Sequence, residues 1–421
     1  MAKQHKHQRM VFHFGLSAIF FVLTYTLAQH STVLAVTDPN VLVGTMRYSG
    51  FGTFFLNLPL GTPPQKLPLL LDVQSSSTNL FCSNADLNSS SSSASFQPSL
   101  SSSFNPSPVG TCNYVSPGSS SPPSPSQICS CTQDTVSLYI ERTAFPDPLL
   151  SANVTGVNFT CCTGLEGSIA GGAAGIAGLS RGDRSLPAQI SKRGGLAREF
   201  SYCLPSVAFF GRVTSYGMLS AFVGQMVTFS TTLQTRLYYV KEGGYAFKLL
   251  NVSVLGEGLM ERPTKMRLST LQRYTTLERK VYKKVRASFR QAVGYANKTV
   301  RRPATAPFDT CFDTTALYNA ARAPHLKGPG LGFQVEGGGG WSLLPHNTFV
   351  SVNVDSVACL GLLPAAPGQP SVLGTFQQVD CLAEFDLQHS RFGFRPLFDP
   401  NTIHPETASC SDLQYPMYPS S

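Results

Sequence analysis

The stretch that decides the fold runs from Phe55 to Cys82 and reads FLNLPLGTPPQKLPLLLDVQSSSTNLFC. Two apolar runs flank GTPPQ, whose glycine and paired prolines make a turn and forbid a helix. The second run leads into Asp72 and then into small hydroxyl residues, a pattern typical of a buried strand that delivers a carboxylate to a cleft. The stretch therefore predicts a β-hairpin with one acid at the end of its second strand.

The rest of the chain has the composition of a β-rich globular protein. It has 421 residues, with 42% hydrophobic and 13% charged residues, and it contains 36 glycines and 30 prolines. This length is sufficient for two lobes, and the abundant turn formers favour short strands with few helices. Each half contains a strand-to-cleft region followed by a short helix, which hints at an internal duplication.

Residues 1–35 are interpreted as a secretory signal peptide. Basic residues precede an apolar run over residues 11–28, and small residues allow cleavage after Ala28 or Ala35. The alternative is a membrane anchor, because the run is long for a signal core, although His13 and several Ser and Thr interrupt it. We expect a secreted protein of the extracellular space or cell wall (apoplast), with no membrane contact after cleavage.

The cysteines and glycosylation motifs fit the same route. Eleven cysteines are scattered along the chain, which predicts disulfides in an oxidising compartment with one cysteine left over. No pair of them is grouped with two histidines at zinc-ligand spacing, so we expect neither a metal nor a cofactor. Five sequons predict glycosylation at Asn88, Asn153, Asn158, Asn251 and Asn297.

Positive charge is concentrated in one stretch, Leu277 to Arg302, which holds nine Lys or Arg against one Glu in a chain of net charge +9. Apolar residues recur every four positions at Val281, Val285, Phe289 and Val293, which predicts an amphipathic helix with a basic outer face. That face is either a solvated surface or a site that attracts anionic cell-wall polysaccharide or an acidic protein. Nucleic acid is not expected, because aromatic and basic residues do not interleave.

Several motifs fall in the order of one family. The opening hairpin resembles that of pepsin-like aspartic proteases, and residues 96–112 resemble the Ser-rich loop of plant, nepenthesin-type members. Then follow GIAGLSRGDRSLPAQI, REFSYCLPS, APFDTCFD, VACLGLL and SVLGTFQQVDCLAEFDLQHSRFGF. The resemblance implies an all-β, bilobal pepsin-like fold, with an N-terminal lobe over 36–230 and a C-terminal lobe over 231–421. Within the first lobe we expect the Ser/Pro-rich loop 88–126 to be mobile, since it cannot bury enough surface to order itself.

The resemblance also locates the catalytic pair of active members, in which two carboxylates share a proton and activate one water. The first family motif is Asp-Thr/Ser-Gly-Ser, and here it reads Asp72, Val73, Gln74, Ser75. The second is Asp-Ser/Thr-Gly-Thr-Thr, and the matching stretch MRLSTLQRYTT places Ser269 where the second aspartate would be. Serine has no proton to share near neutral pH. We therefore predict that Asp72 is the remnant of a pair and that Ser269 is an inactive replacement.

Other residues were weighed for these roles. Rescue of the missing carboxylate would need one of Asp309, Asp313, Glu261 and Glu278. The nearest candidate for the flap tyrosine of the family is Tyr114. GLSRG matches a hydrolase nucleophile elbow at Ser180, but the family places this turn after a first-lobe strand with no such role. EGGGGW (residues 336–341) lacks the Lys-Ser/Thr of a phosphate loop and predicts a hairpin turn.

The combination of LSTLQRYTTLERKVY and ATAPFDTCF is most similar to a non-proteolytic branch of the family: plant xylanase inhibitors, extracellular dermal glycoprotein and basic 7S globulins. This implies a secreted, monomeric defence protein that binds and inhibits glycoside hydrolases such as microbial xylanases. Two alternatives stay open, an atypical active aspartic-type endopeptidase and a storage or cell-wall glycoprotein. The resemblance pairs Cys311 with Cys359 and Cys203 with Cys410. The six cysteines from 82 to 162 remain open among fifteen pairings, and Cys381 is the odd thiol.

Overall fold

A computed structural model describes most of the chain between residues 34 and 396, together with residue 410. The described ranges are 34–36, 41–50, 52–83, 94–106, 128–140, 151–163, 172–213, 216–219, 226–229, 233–241, 243–294, 297, 300–314, 330–343, 345–353, 356–396 and 410. The proposed signal segment up to residue 33, Asn88 and Tyr114 lie outside these ranges.

The described chain is built mainly from short strands, as the composition predicts. The first half contains β1 (Leu34–Val36), β2 (Leu42–Tyr48), β3 (Phe54–Leu60), β4 (Gln65–Asp72), β5 (Asn79–Phe81), β6 (Ile128–Ile140), β7 (Ser151–Thr163), β8 (Gly175–Gly178), β9 (Glu199–Cys203), β10 (Val207–Phe210), β11 (Tyr216–Leu219), β12 (Met226–Phe229) and β13 (Leu233–Arg236). The second half contains β14 (Tyr238–Tyr239), β15 (Tyr245–Val254), β16 (Glu257–Gly258), β17 (Thr264–Leu268), β18 (Thr275–Leu277), β19 (Arg301–Arg302), β20 (Cys311–Asp313), β21 (Leu331–Val335), β22 (Gly340–Leu343), β23 (Phe349–Asn353), β24 (Val357–Leu360), β25 (Leu362–Pro364), β26 (Ser371–Leu373), β27 (Cys381–Asp386) and β28 (Arg391–Pro396). The helices are α1 (Leu186–Gly194), α2 (Arg279–Ala292) and the single turn α3 (Pro345–Thr348).

The opening stretch forms the predicted hairpin. β3 and β4 pair antiparallel, with Leu60 opposite Gln65 across the turn. Gly61 adopts a φ of 93°, a left-handed conformation that glycine adopts at little cost. β3 is mostly buried, and β4 is buried over its last four residues, Leu69 to Asp72. The predicted turn in EGGGGW is also confirmed, since it joins β21 to β22.

One strand arrangement occurs in both halves of the chain. β4 pairs in parallel with β8, which places Asp72 opposite Gly178. β17 likewise pairs in parallel with β26, with Leu268 opposite Leu373. The two ends that carry the candidate site are therefore built in the same way, which supports the duplication that the sequence hints at.

A twelve-stranded sheet joins the two halves. It runs in the order β13-β28-β27-β9-β10-β2-β3-β4-β8-β5-β7-β6. β27, from the end of the chain, pairs with β9 from the first half. Phe385 of β27 stacks on Phe200 of β9, with ring centroids 4.4 Å apart. The apolar core is accordingly continuous from one half to the other, which holds the candidate site at a fixed junction.

Part of the Ser/Pro-rich loop differs from the prediction. Over residues 94–106, Phe96 is buried and lies 6.0 Å from the ring of Phe104. Ser101 Oγ accepts a hydrogen bond from Thr62 N and donates one to Asp134 Oδ1. The expectation of a mobile loop is wrong here, because these apolar and polar anchors pack the segment onto the body despite its composition.

The basic stretch forms the predicted amphipathic helix over a shorter range. α2 ends at Ala292, and its buried face consists of Tyr282, Val285 and Phe289. No helix of the described residues is both long enough and apolar enough to span a bilayer.

Four disulfides have both cysteines in the described residues. Cys203 pairs with Cys410 and Cys311 with Cys359, the two bridges that the resemblance implies. Among the six cysteines from 82 to 162, whose pairing the sequence leaves open, Cys82 pairs with Cys161 and Cys129 pairs with Cys162. Cys131 is also disulfide-bonded, and Cys381 is a free, buried thiol.

Candidate functional site

The candidate site begins at Asp72, which ends β4 and is 4% exposed. Its Oδ1 accepts a hydrogen bond of 2.8 Å from Gln74 N. Burial raises the pKa of Asp72 from 3.8 to about 6, and backbone N–H groups of Gln74 and Ser75 partly oppose that rise. No second carboxylate of the described residues contributes to this pKa. The pKa of Asp72 is therefore set by burial and by backbone amides.

Ser269 follows β17 and is 3% exposed. Its Oγ accepts hydrogen bonds from Leu271 N at 3.2 Å and Gln272 N at 3.1 Å. This is the same kind of contact that Asp72 makes with the amide two residues along. The side chain at each loop thus closes a tight turn of its own backbone.

A second set of contacts makes the two loops equivalent. Thr78, six residues after Asp72, accepts a hydrogen bond from Gly178 N at 3.2 Å. Thr275, six residues after Ser269, accepts one from Gly374 N at 3.0 Å. Both glycines lie against backbone, since a Cβ at Gly178 would lie 2.2 Å from Ser77 O and one at Gly374 would lie 2.5 Å from the carbonyl carbon of Tyr274. Asp72 and Ser269 therefore occupy corresponding positions.

The two loops hold each other through one hydroxyl and one amide. Thr270 Oγ1 donates to Leu71 O at 2.6 Å and accepts from Val73 N at 3.1 Å. In the opposite direction Val73 offers no hydroxyl, but Gln74 Nε2 donates to Leu268 O at 3.2 Å. The family motif has a Thr or Ser hydroxyl at the position of Val73, and here the contact from the first loop to the second is made by the next residue, Gln74.

The backbone carbonyl of Ser269 is also held by a chain of two side chains. Gln378 Nε2 donates to Ser269 O at 2.8 Å, and Tyr202 Oη donates to Gln378 Oε1 at 2.6 Å. Both side chains are buried. Burial raises the pKa of Tyr202 well above its usual range, so its hydroxyl remains a donor. This chain of contacts ties the second loop to β9 of the first half.

The four acids weighed as substitutes bind partners elsewhere. Glu261 pairs with Lys284, Asp313 pairs with Arg302, and Glu278 accepts from Thr264 Oγ1. Asp309 accepts hydrogen bonds from Tyr282 Oη and Arg286, both at 2.6 Å. Burial alone would raise the pKa of Asp309, but these bonds hold it below its usual value. Each acid thus has a structural partner on or near α2.

Ser180 does not sit in a nucleophile elbow. It is buried, its backbone N donates to Ser75 O, and its Oγ accepts a hydrogen bond from Gly244 N at 3.0 Å. The following loop leads to α1, which starts only at Leu186. Ser180 therefore supports the loop that carries Asp72.

One group in the described residues has the composition of a cation site. Ligand atoms of Glu199, Asp386 and His389 lie within 4.8 Å of one another, in a cavity of about 420 Å³. Glu199 already accepts from Arg212 at 2.6 Å, and Asp386 contacts His389 Nδ1 at 2.8 Å. We interpret the group as a network of ion pairs. Sequence reasoning missed it, because only the pairing of β9 with β27 brings Glu199 opposite Asp386.

The described sequons differ in their surroundings. Asn153 and Asn297 are exposed, and Asn158 is partly buried. Asn251 Oδ1 accepts from the amides of Leu259 and Met260, and its Nδ2 lies against Gly258. Glycosylation at these positions stays a prediction, and the side-chain amide of Asn251 is already engaged in these backbone contacts.

Comparison with known proteins places this geometry in a family. The xylanase inhibitor N-terminal model matches residues 54–212, and the xylanase inhibitor C-terminal model matches residues 244–396. Together they cover both loops and most of the chain. The chain belongs to the xylanase inhibitor family of pepsin-fold proteins. Relatives of this chain carry names of different activities.

The curated relatives include proteins named as enzymes. Chitinase CLP of Oryza sativa subsp. japonica is 29% identical over 64% of this chain and 70% of its own length. Aspartic proteinase nepenthesin-1 of Nepenthes gracilis is 26% identical over 84% of this chain and 79% of its own length. Gamma conglutin 1 of Prunus dulcis is 25% identical over about half of each chain.

Solved structures confirm the all-β pepsin-like fold. Soybean basic 7S globulin superposes with a TM-score of 0.67 at 20% identity, covering 89% of this chain and 99% of its own. The structure of edgp gives a TM-score of 0.68 at 21% identity, covering 85% and 95%. At these identities the likeness concerns the fold alone.

Proposed function

We propose that this family member is a secreted protein without proteolytic activity that binds glycoside hydrolases and inhibits them, with microbial xylanases as the first targets to test. The observation that carries the loss of proteolysis is the position of Ser269, which corresponds to that of Asp72 through the two Thr–Gly contacts of the site. A shared proton needs two carboxyl groups in near contact. A serine hydroxyl stays protonated near neutral pH and cannot act as the second acid or base.

The surroundings of both residues support this proposal. Ser269 Oγ accepts from two backbone amides, which restrains it as a turn-closing group. Burial raises the pKa of Asp72 to about 6, and no second carboxylate of the described residues is among the causes of that shift. The loops are nevertheless braced by Thr270 and Gln74, so the fold is retained without the chemistry.

The first experiment incubates the purified mature protein with denatured globin at acidic pH. We expect no cleavage from the wild type or from Asp72→Ala. Cleavage by the wild type that disappears in Asp72→Ala would establish the alternative, an atypical active endopeptidase. Ser269→Asp restores the second carboxylate at the corresponding position and tests whether Val73 and Gln74 still prevent catalysis.

The second experiment addresses the binding partner. The protein is titrated into a panel of microbial xylanases and glucanases, and residual activity and complex formation by gel filtration are measured. We expect a stoichiometric complex with loss of activity for at least one enzyme. A well-folded protein that inhibits none of them would favour a storage or cell-wall glycoprotein, an alternative that the sequence leaves open.

Secretion is part of the same proposal. Nine cysteines of the described residues are disulfide-bonded, which is usual for an oxidising compartment. Expression with residues 1–35 and N-terminal sequencing of the product would decide between cleavage after Ala28 and after Ala35. β1 begins at Leu34 and pairs with β11, so cleavage after Ala28 leaves that strand whole.

A further inference from the structure

The outer face of α2 carries more positive charge than the ion pairs found among the described residues neutralise. The helix contains six Lys or Arg and no acidic residue over Arg279–Ala292. Glu278 is the N-cap and places one acid at the N-terminal end, where a helix favours negative charge, but the first turn that follows has none. Like charges also stand three and four residues apart at Lys280, Lys283 and Lys284, a spacing that destabilises an isolated helix. Helix stability therefore does not explain this pattern.

Some of these charges are neutralised within the protein. Arg286 pairs with Asp309 at 2.6 Å, and Arg290 donates to Asp309 O and Thr310 Oγ1. Lys284 pairs with Glu261 at 2.5 Å. These contacts hold the sides of the helix against the body of the second lobe.

We call one surface the basic ridge: it consists of Lys280 and Lys283 of α2, of Lys284 with its partner Glu261 beside it, and of Arg262 from the turn before β17. All four side chains belong to exposed residues. Lys284 has one carboxylate partner, Glu261, whose pKa is lowered by the hydrogen bond and charge of Lys284 and then by the charges of Arg262 and Lys280. No ion pair or hydrogen bond to Arg262, Lys280 or Lys283 is found within the described part of the chain. One carboxylate thus lies among several cations.

We propose that the basic ridge binds a carboxylated polysaccharide, a chain of uronic acid units. Closely spaced cations on a solvated helix face attract a repeating polyanion through summed long-range electrostatics. Release of the counterions of the polyanion then adds to binding, as it does for the polyanion DNA. This binding surface is separate from any inhibitory contact with a glycoside hydrolase, and it would retain the protein on an acidic matrix.

The composition of the ridge favours a polysaccharide over an acidic protein. Protein interfaces have cores enriched in aromatic residues and Arg and depleted in Lys. The other exposed residues of α2 are Arg279, Ala287 and Gln291, which offer no aromatic or large aliphatic anchor, and Arg279 already donates a hydrogen bond to Ala365 O. The exposed large hydrophobic residues of the described chain, Tyr48, Leu100 and Leu255, lie on other elements.

The test measures binding of the mature protein to immobilised polygalacturonate at low and at physiological salt. We expect wild-type binding that weakens steeply with salt and does not occur on fully methyl-esterified pectin. The triple variant Arg262→Gln/Lys280→Gln/Lys283→Gln should bind at least about tenfold more weakly, because three of the four ridge cations are removed. A matched control with the same net charge, Lys192→Gln/Arg193→Gln/Lys241→Gln, alters exposed residues of other elements and should stay within about twofold of the wild type.

Three outcomes would overturn the proposal. They are no wild-type binding at low salt, equal losses in the two triple variants, and binding that methyl esterification leaves unchanged. Capture of an acidic protein without binding of polygalacturonate would instead assign the ridge to a protein partner. Both variants are expected to fold, because all six substituted residues are exposed. Circular dichroism checks this. Xylanase inhibition measured on the same variants separates a failure of this proposal from a failure of the inhibitor function.

Discussion

Substitution of Asp72 by Asn should stabilise the protein at neutral pH. The acid is 4% exposed and its pKa is raised from 3.8 to about 6, with burial as the leading cause. The folded state therefore binds a proton more tightly than the unfolded state does. Stability from this group is fully present below a pH of about 4 and is lost as the pH rises through about 6. Above that pH, the folded protein carries the buried negative charge of Asp72, and no cationic side chain is among the causes of its pKa shift.

The magnitude follows from that change in pKa. Each pH unit between the unfolded and folded values corresponds to about 1.4 kcal/mol, so the rise from 3.8 to about 6 amounts to about 3 kcal/mol. Asn has the size of Asp and keeps an oxygen for the amide of Gln74, but it never carries the charge. Asp72→Asn should accordingly raise the free energy of unfolding by about 2–3 kcal/mol at pH 7 and by little at pH 4.

Urea denaturation of the wild type and the variant at pH 4, 5, 6 and 7 measures this difference directly. The difference between the two proteins matters, because other groups titrate equally in both. An exposed control, Asp183→Asn, with a side chain that is 99% exposed, should change stability little at any of these pH values. A variant that is less stable than the wild type at pH 7, or a difference that does not vary with pH, would refute the reasoning.

Three further results are expected. Thr270→Val removes a buried hydroxyl that bonds Leu71 O and Val73 N, and it should lower the free energy of unfolding in urea by about 2–4 kcal/mol, since two backbone groups lose their partner; a loss below 1 kcal/mol would mean that water replaces the hydroxyl. Cys203→Ser/Cys410→Ser opens a bridge between cysteines 207 residues apart, and it should lower stability by about 2–5 kcal/mol, with an unchanged denaturation midpoint as the contradicting outcome. The Cys381 thiol is buried and its pKa is raised by burial, so an aromatic disulfide reagent at pH 8 should react with it only after unfolding; immediate reaction of a thiol that is absent from Cys381→Ala would contradict the burial.

Local sequence patterns predicted the elements whose stabilising contacts are close along the chain. The β3–β4 hairpin follows from alternating apolar runs around GTPPQ, and α2 follows from the four-residue recurrence of its apolar positions. These local patterns could not predict contacts between residues that are far apart along the chain. The amide of Gln74 reaches Leu268 O across 194 residues, and Tyr202 reaches Gln378 across 176. The serine-rich composition of residues 94–106 predicted a mobile loop. It could not predict that a single buried aromatic residue, Phe96, anchors this segment.

Gln74 stands where the family motif has a glycine, and its side chain makes one of the contacts that join the two loops. A glycine at this position would allow left-handed backbone conformations, and a hydroxyl at position 73 would reach the second loop. Here the backbone N–H of Gln74 donates to the Asp72 carboxylate, and the Gln74 side chain donates to Leu268 O. Gly243 and Gly244 leave room for it, since a Cβ at Gly244 would lie 3.0 Å from the Gln74 side chain. One of the two contacts that brace the loops is therefore made by the Gln74 side chain, while the other is made by the Thr270 hydroxyl within the second motif.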